Sequence, residues 1–99
     1  MAAMRFTWDE AKSVQVANDH KVEFTRIIDI FDDPYSVDFV DEIHSTADEA
    51  RYAIIALTAA YGLTFLVYTE PETDEIHFIT ARRAESWMVK DYEENSQGQ

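Results

Sequence analysis

The chain opens on an alternation. Met4-Arg5-Phe6-Thr7-Trp8 places apolar and polar side chains on opposite sides, which predicts a short strand with its aromatics inward. Asp9 follows as an N-cap, and Asp9 and Glu10 suit the positive end of a helix. That helix is expected to reach about Asn18, with Ala11, Val14 and Ala17 as a thin apolar stripe, and to break at Asp19-His20-Lys21. Phe24, Ile27, Ile28 and Phe31 then recur at i, i+3, i+4 and i+7, predicting a second helix. Asp32-Asp33-Pro34 ends it, because proline disfavours helix at the preceding residue. Tyr35-Ser36-Val37-Asp38-Phe39 alternates again, as an edge strand, and residues 41–48 are polar and loop-like. Strands are expected at 50–57, 63–69 and 75–81. They are separated by a turn at Gly62 and a second turn over 69–74 marked by Pro71. A final helix runs from Ala84 to about Tyr92.

Short connections between these strands predict an antiparallel meander. The expected architecture is α+β: an antiparallel sheet of about four to five strands, with two N-terminal helices packed on it and one C-terminal helix. Residues 4–92 form the single expected domain, and the polar residues 93–99 a frayed tail. Ninety-nine residues suffice for one core. With no cysteine there is neither a disulfide framework nor thiolate chemistry. No run approaches the roughly 20 apolar residues of a membrane span, and the first residues lack the apolar stretch of a signal peptide. The cytoplasm is the expected compartment, and no membrane partner is expected.

Charge changes the picture more. Twenty acidic side chains against eight Lys and Arg give a net −12, which disfavours loose attraction to nucleic acid or anionic membranes and favours a basic partner. The acids are clustered. Residues 29–49 hold eight and no Lys or Arg, and Glu70, Glu72, Asp74 and Glu75 form a second group. Against this background Arg82 and Arg83 stand adjacent where a strand meets a helix, a place that suits phosphate or carboxylate. The alternative is two arginines balancing an acidic surface.

Three histidines offer proton exchange. His44 lies among acids in the polar loop, as a general acid/base or an exposed loop residue. His20 closes a helix, where a cation offsets the dipole. His77 alternates with Ile76 and Phe78 and faces either a cleft or solvent. No metal is expected, since no histidine pair has ligand spacing and neither HExxH nor CxxC occurs. With two glycines in the chain there is no phosphate loop, and no cofactor is expected. What survives is a set of cations, Arg51, Arg82 and Arg83, with Lys12, His44 and Tyr92 as additions. Metal-free RNA cleavage needs a base at the 2′-hydroxyl, cations on the phosphorane and an acid for the leaving oxygen. Arginine forks suit the phosphate.

These residues fall into an ordered series. Trp8-Asp9-Glu10-Ala11-Lys12 resembles W-D-x-x-K, residues 19–24 resemble K-H-G-V-x-F, and Phe31-Asp32-Asp33-Pro34 matches F-D-D-P. His44-Ser45 and Glu49-Ala50-Arg51-Tyr52 resemble D-H-S followed by E-x-R-[WY]. Tyr68-Thr69-Glu70 and residues 79–84 resemble H-T-E and I-S-A-R-R-A, and Tyr92-Glu93 resembles a closing Y-E. From Met4 to about Glu93 the chain resembles the BrnT family, the toxin half of a type II toxin–antitoxin pair. The resemblance implies a RelE-like fold, a metal-independent endoribonuclease that arrests translation, and inhibition by a BrnA-type antitoxin. DNA would be bound only through that antitoxin. Arg82 and Arg83 would hold phosphate, Arg51 would assist, and His44 would exchange protons, with Tyr92 or Lys12 as alternatives. The chain departs from the family pattern at Lys21, where Gly is frequent, at Ala56, also often Gly, and at His77, where Arg is common. The last helix lacks the usual run of cations. A rival reading is a non-catalytic antitoxin-binding module on a toxin-like scaffold.

Overall fold

The computed structural model describes residues 3–97. In chain order the elements are β1 (Arg5–Trp8), α1 (Glu10–His20), two 3₁₀ turns (Phe24–Arg26 and Ile28–Asp32), β2 (Val37–Val40), β3 (Tyr52–Thr58), β4 (Gly62–Glu72), β5 (Glu75–Arg83) and α2 (Ser86–Gln97). The fold is α+β around a five-stranded sheet of order β1-β5-β4-β3-β2. β2 through β5 are antiparallel, but β1 runs parallel to β5. The sheet is therefore mixed, not antiparallel throughout. Alternation defines which face a strand buries but carries no information about the direction of its neighbour.

α1 begins and ends for local reasons. Asp9 caps it by accepting a 3.1 Å hydrogen bond from the Lys12 amide. Lys21 closes it in the left-handed conformation, φ 59°, with its amide on the Ala17 carbonyl at 3.1 Å. Glycine would meet that φ without Cβ strain; here Lys21 adopts it.

The expected second helix is not an α-helix. It is two 3₁₀ turns broken at Ile27 (φ −123°), and the fully buried residues are Phe24, Ile27 and Ile30. That is a period of three, the repeat of a 3₁₀ turn, whereas the i+4 residue Ile28 is exposed. Two carboxylates fix the tighter winding from outside. Asp29 accepts the Ala59 amide at 2.8 Å, and Asp33 accepts the Leu57 amide at 2.9 Å. Two of the eight clustered acids thus satisfy backbone donors of the β3 edge and the turn that follows it.

One sheet face buries the core. Ile54, Ala56, Leu66, Tyr68, Ile76, Phe78 and Ala81 meet Val16, Val22, Phe24, Ile27 and Ile30 from α1 and the 3₁₀ segment. Trp8, Phe24 and Phe78 pack with ring centroids 5.5–5.7 Å apart. The opposite face is covered only in part. Met88 of α2 is buried there with Ala53, Ile55 and Val67, and Phe65 packs between Phe39 and Trp87.

β4 runs past Pro71 to Glu72, so the second turn shrinks to Thr73-Asp74. Proline is tolerated because the β4–β5 register is already irregular between Thr69 and Glu72. α2 continues to Gln97, five residues past the expected end; of the predicted frayed tail, Gly98 and Gln99 lie outside the described residues. Among the described residues no helix is long and apolar enough to cross a membrane.

Candidate functional site

The open part of the second face is concave. β5 forms its floor, α1 flanks it, and the 41–51 loop rises over it. Two adjacent clefts mark it. The first, about 260 Å³, is lined by His20, Asp41, His44, Arg51, Thr80 and Arg82 over an apolar floor that includes Phe65 and Val67. The second, about 520 Å³, is lined by Asp9, Lys12, Gln15, Arg51 and His77. Arg51 and Ile79 belong to both. At Ile79 the β4–β5 ladder slips, since Val67 pairs with Thr80 but Tyr68 with Phe78. The extra residue is a bulge placed where the two clefts join, and bulges commonly bend a sheet beside a site.

The loop is held by its own short side chains. Ser45 donates to the Asp41 carbonyl at 2.6 Å and accepts the Arg51 amide at 2.8 Å, while the Asp41 amide bonds the Arg51 carbonyl at 2.8 Å. Ser45 therefore closes the loop and fixes where His44 and Arg51 emerge. It was legible in sequence only as the neighbour of His44. The His44 ring meets the Asp41 carboxylate through Nδ1 at 2.7 Å, which orients the ring and leaves Nε2 without a hydrogen-bond partner among the described residues.

Four expected site residues are brought together: Lys12, His44, Arg51 and Arg82. Two are not. Adjacent residues of a strand point to opposite faces, so the arginine pair is split. Arg82 pairs across from Phe65, stacks its guanidinium 5.4 Å from that ring and lines the first cleft. Arg83 follows Ala81 onto the core face, where it lies over the Tyr61 ring at 5.5 Å. The pair does not converge on one anion.

Tyr92 is also elsewhere. Its hydroxyl donates to Asp33 Oδ2 at 2.7 Å, and it lines neither cleft. Burial, then the Asp33 carboxylate, push its phenol up to about 12, so it stays protonated at neutral pH. Burial alone would raise Asp33, but hydrogen bonds from the Leu57 and Tyr35 amides and the Tyr92 hydroxyl hold it below the usual carboxylate value. His20 and His77, read from sequence as a helix-end cation and a residue of undecided facing, both line the clefts. The period-2 pattern had put His77 on the right face; nothing local had marked His20.

Each principal cation carries a carboxylate. Arg82 Nη1 lies 3.2 Å from Glu85, Arg51 Nε lies 3.7 Å from Glu49, and His44 meets Asp41. Arg82 Nε is buried without a hydrogen-bond partner. The arrangement offers several cations and three histidines around an apolar floor, with room for a phosphodiester and a base. Among the described residues no three His, Asp or Glu side chains gather as metal ligands.

The family model for the ribonuclease toxin BrnT of type II toxin–antitoxin systems matches residues 8–86, which include every cleft residue named above. The fold is similar to the crystal structure of the ribonuclease toxin BrnT of Brucella abortus, with a TM-score of 0.66 and 19% identity over 85% of this chain and 100% of that chain. Comparison with curated proteins gave no match.

Proposed function

The chain belongs to the BrnT family of ribonuclease toxins from type II toxin–antitoxin systems, and we propose that the two joined clefts are its RNA-cleaving site. The observation that carries this reading is that Arg51 lines one cleft with His44 and Arg82 and the adjoining cleft with Lys12. Arg51, shared by both clefts, contacts the scissile phosphate. Arg82 binds a phosphate oxygen with its stacked, pre-oriented fork. Lys12 adds positive charge from α1. His44, held through Nδ1 by Asp41, gives a proton from Nε2 to the leaving 5′-oxygen as the 2′-oxygen attacks phosphorus. The protein groups supply charge stabilisation and proton transfer, so the proposed reaction draws on no metal. Its products are a 2′,3′-cyclic phosphate and a 5′-hydroxyl. In the cell, such cleavage arrests translation.

Family membership implies an antitoxin as partner and RNA as substrate. A BrnA-type antitoxin with a basic segment suits a toxin of charge −12, and DNA is then reached only through that partner. The carboxylates on Arg51, Arg82 and His44 favour a second reading, an antitoxin-binding module whose site no longer admits RNA.

One experiment separates the two. The purified protein, incubated with single-stranded RNA in a chelating buffer at low salt, is expected to yield cyclic-phosphate ends. Arg51→Ala or Arg82→Ala should lower the rate roughly 100-fold or more. RNA left intact at high protein concentration, together with tight antitoxin binding, would establish the module instead.

A further inference from the structure

The parallel pairing of β1 with β5 places Arg5 beside Glu75 and Thr7 beside His77. Three side chains on that seam form a chain of hydrogen bonds. Thr7 Oγ1 lies 2.6 Å from Glu75 Oε2 and 2.9 Å from His77 Nδ1. Arg5 lies against the other Glu75 oxygen at 3.5 Å. A carboxylate beside a guanidinium accepts and does not donate, so the single Thr7 proton goes to Glu75. Thr7 can then only accept from His77, which fixes the proton on Nδ1. In the neutral ring the lone pair is then on Nε2, which has no partner among the described residues. His77 lines the cleft that contains Arg51 and Lys12.

We propose that His77 is the general base of the cleavage site, with Thr7 and Glu75 as positioning residues that set its tautomer. Nε2 takes the proton from the 2′-hydroxyl. The freed oxygen attacks phosphorus and forms the cyclic phosphate. The bond to the 5′-oxygen breaks, and that oxygen receives its proton from His44 on the far side of Arg51. Two histidines flanking one arginine divide the two proton transfers between them. The assignment rests on the ribonuclease reading above. The charged groups facing His77 are Glu75 through Thr7 on the sheet, Asp9 and Lys12 from α1, and Arg51 from the loop.

The full-length protein is assayed on two oligoribonucleotides, one natural and one with sulfur in place of the bridging 5′-oxygen at the cleaved link. A thiolate leaves without a proton, so that substrate bypasses the acid and not the base. His77→Gln is expected to lose roughly 100-fold or more on both substrates. His44→Gln should lose a similar factor on the natural one and recover on the sulfur one. Thr7→Val should lower kcat roughly tenfold to a hundredfold with KM little changed, and Thr7→Ser should restore it. Full activity of His77→Gln overturns the assignment, and so does its recovery on the sulfur substrate, which would make His77 the acid. Thr7→Val with wild-type kcat and only a lower Tm removes the positioning role. If the wild-type protein cleaves neither substrate, the ribonuclease reading itself fails, an outcome visible before any variant is compared.

Discussion

Tyr92→Phe distinguishes a residue that holds the fold from one that works on substrate. The Tyr92 hydroxyl spans from α2 to Asp33, 59 positions earlier in the chain, at 2.7 Å. A hydrogen bond to a charged group contributes about 1.5–3 kcal/mol. Asp33 keeps the Leu57 and Tyr35 amides in the variant, and the site is only partly buried, so the lower half of that range applies. Phenylalanine preserves the ring, so no cavity adds to the loss. The expected cost is about 1.5–2 kcal/mol, which for a domain of this size lowers Tm by about 6–16 °C. The sign with pH follows from Asp33, whose folded-state pKa is depressed. Its stabilisation is present above the unfolded carboxylate pKa of about 3.9 and is lost as pH falls through the lower folded value. The gap between wild type and Tyr92→Phe should therefore be full at neutral pH and close in acid. Thermal melts across pH measure it, beside RNA cleavage well below both melting temperatures, where the rates should coincide. A hundredfold slower variant with an unchanged Tm would refute the reasoning and return Tyr92 to the reacting groups.

The split arginine pair predicts unequal single variants: Arg82→Ala should abolish most cleavage, whereas Arg83→Ala should leave the rate within a few fold and act chiefly on stability through its contact with Tyr61. Equal losses of rate with both folds intact would mean that the two guanidinium groups act together after all. Glu85→Gln removes the charge that competes for Arg82. A half-exposed pair contributes about 0.2–1 kcal/mol, so RNA should bind up to about fivefold tighter at low salt. The gain should shrink as salt screens it; titration of RNA at two ionic strengths reads this, and unchanged affinity at low salt would show that Glu85 does not compete.

Several motifs that lie apart in sequence are single objects in space. Asp33 of the Phe31–Pro34 motif and Tyr92 of the closing motif are two ends of one hydrogen bond. Ser45, beside His44, is what holds Arg51. Motif order revealed that these residues belonged together but not which of them touch. Tyr92 therefore read as a reacting group when its partner makes it a clip.

The sequence by itself determined the strands, the start of α1, the α+β class, and which residue types could line a cleft. Those follow from period, capping and residue chemistry, which act within a few positions of the chain. Tertiary structure decided the rest. It set the parallel partner of β1, because strand alternation is blind to direction. It set the 3₁₀ winding of residues 24–32, because the carboxylates of Asp29 and Asp33 reach backbone donors more than twenty positions away. It divided Arg82 from Arg83, because a strand that runs on to residue 83 must send neighbours to opposite faces. It also joined Thr7, Glu75 and His77, a contact across nearly seventy positions that exists only because the two strands lie side by side.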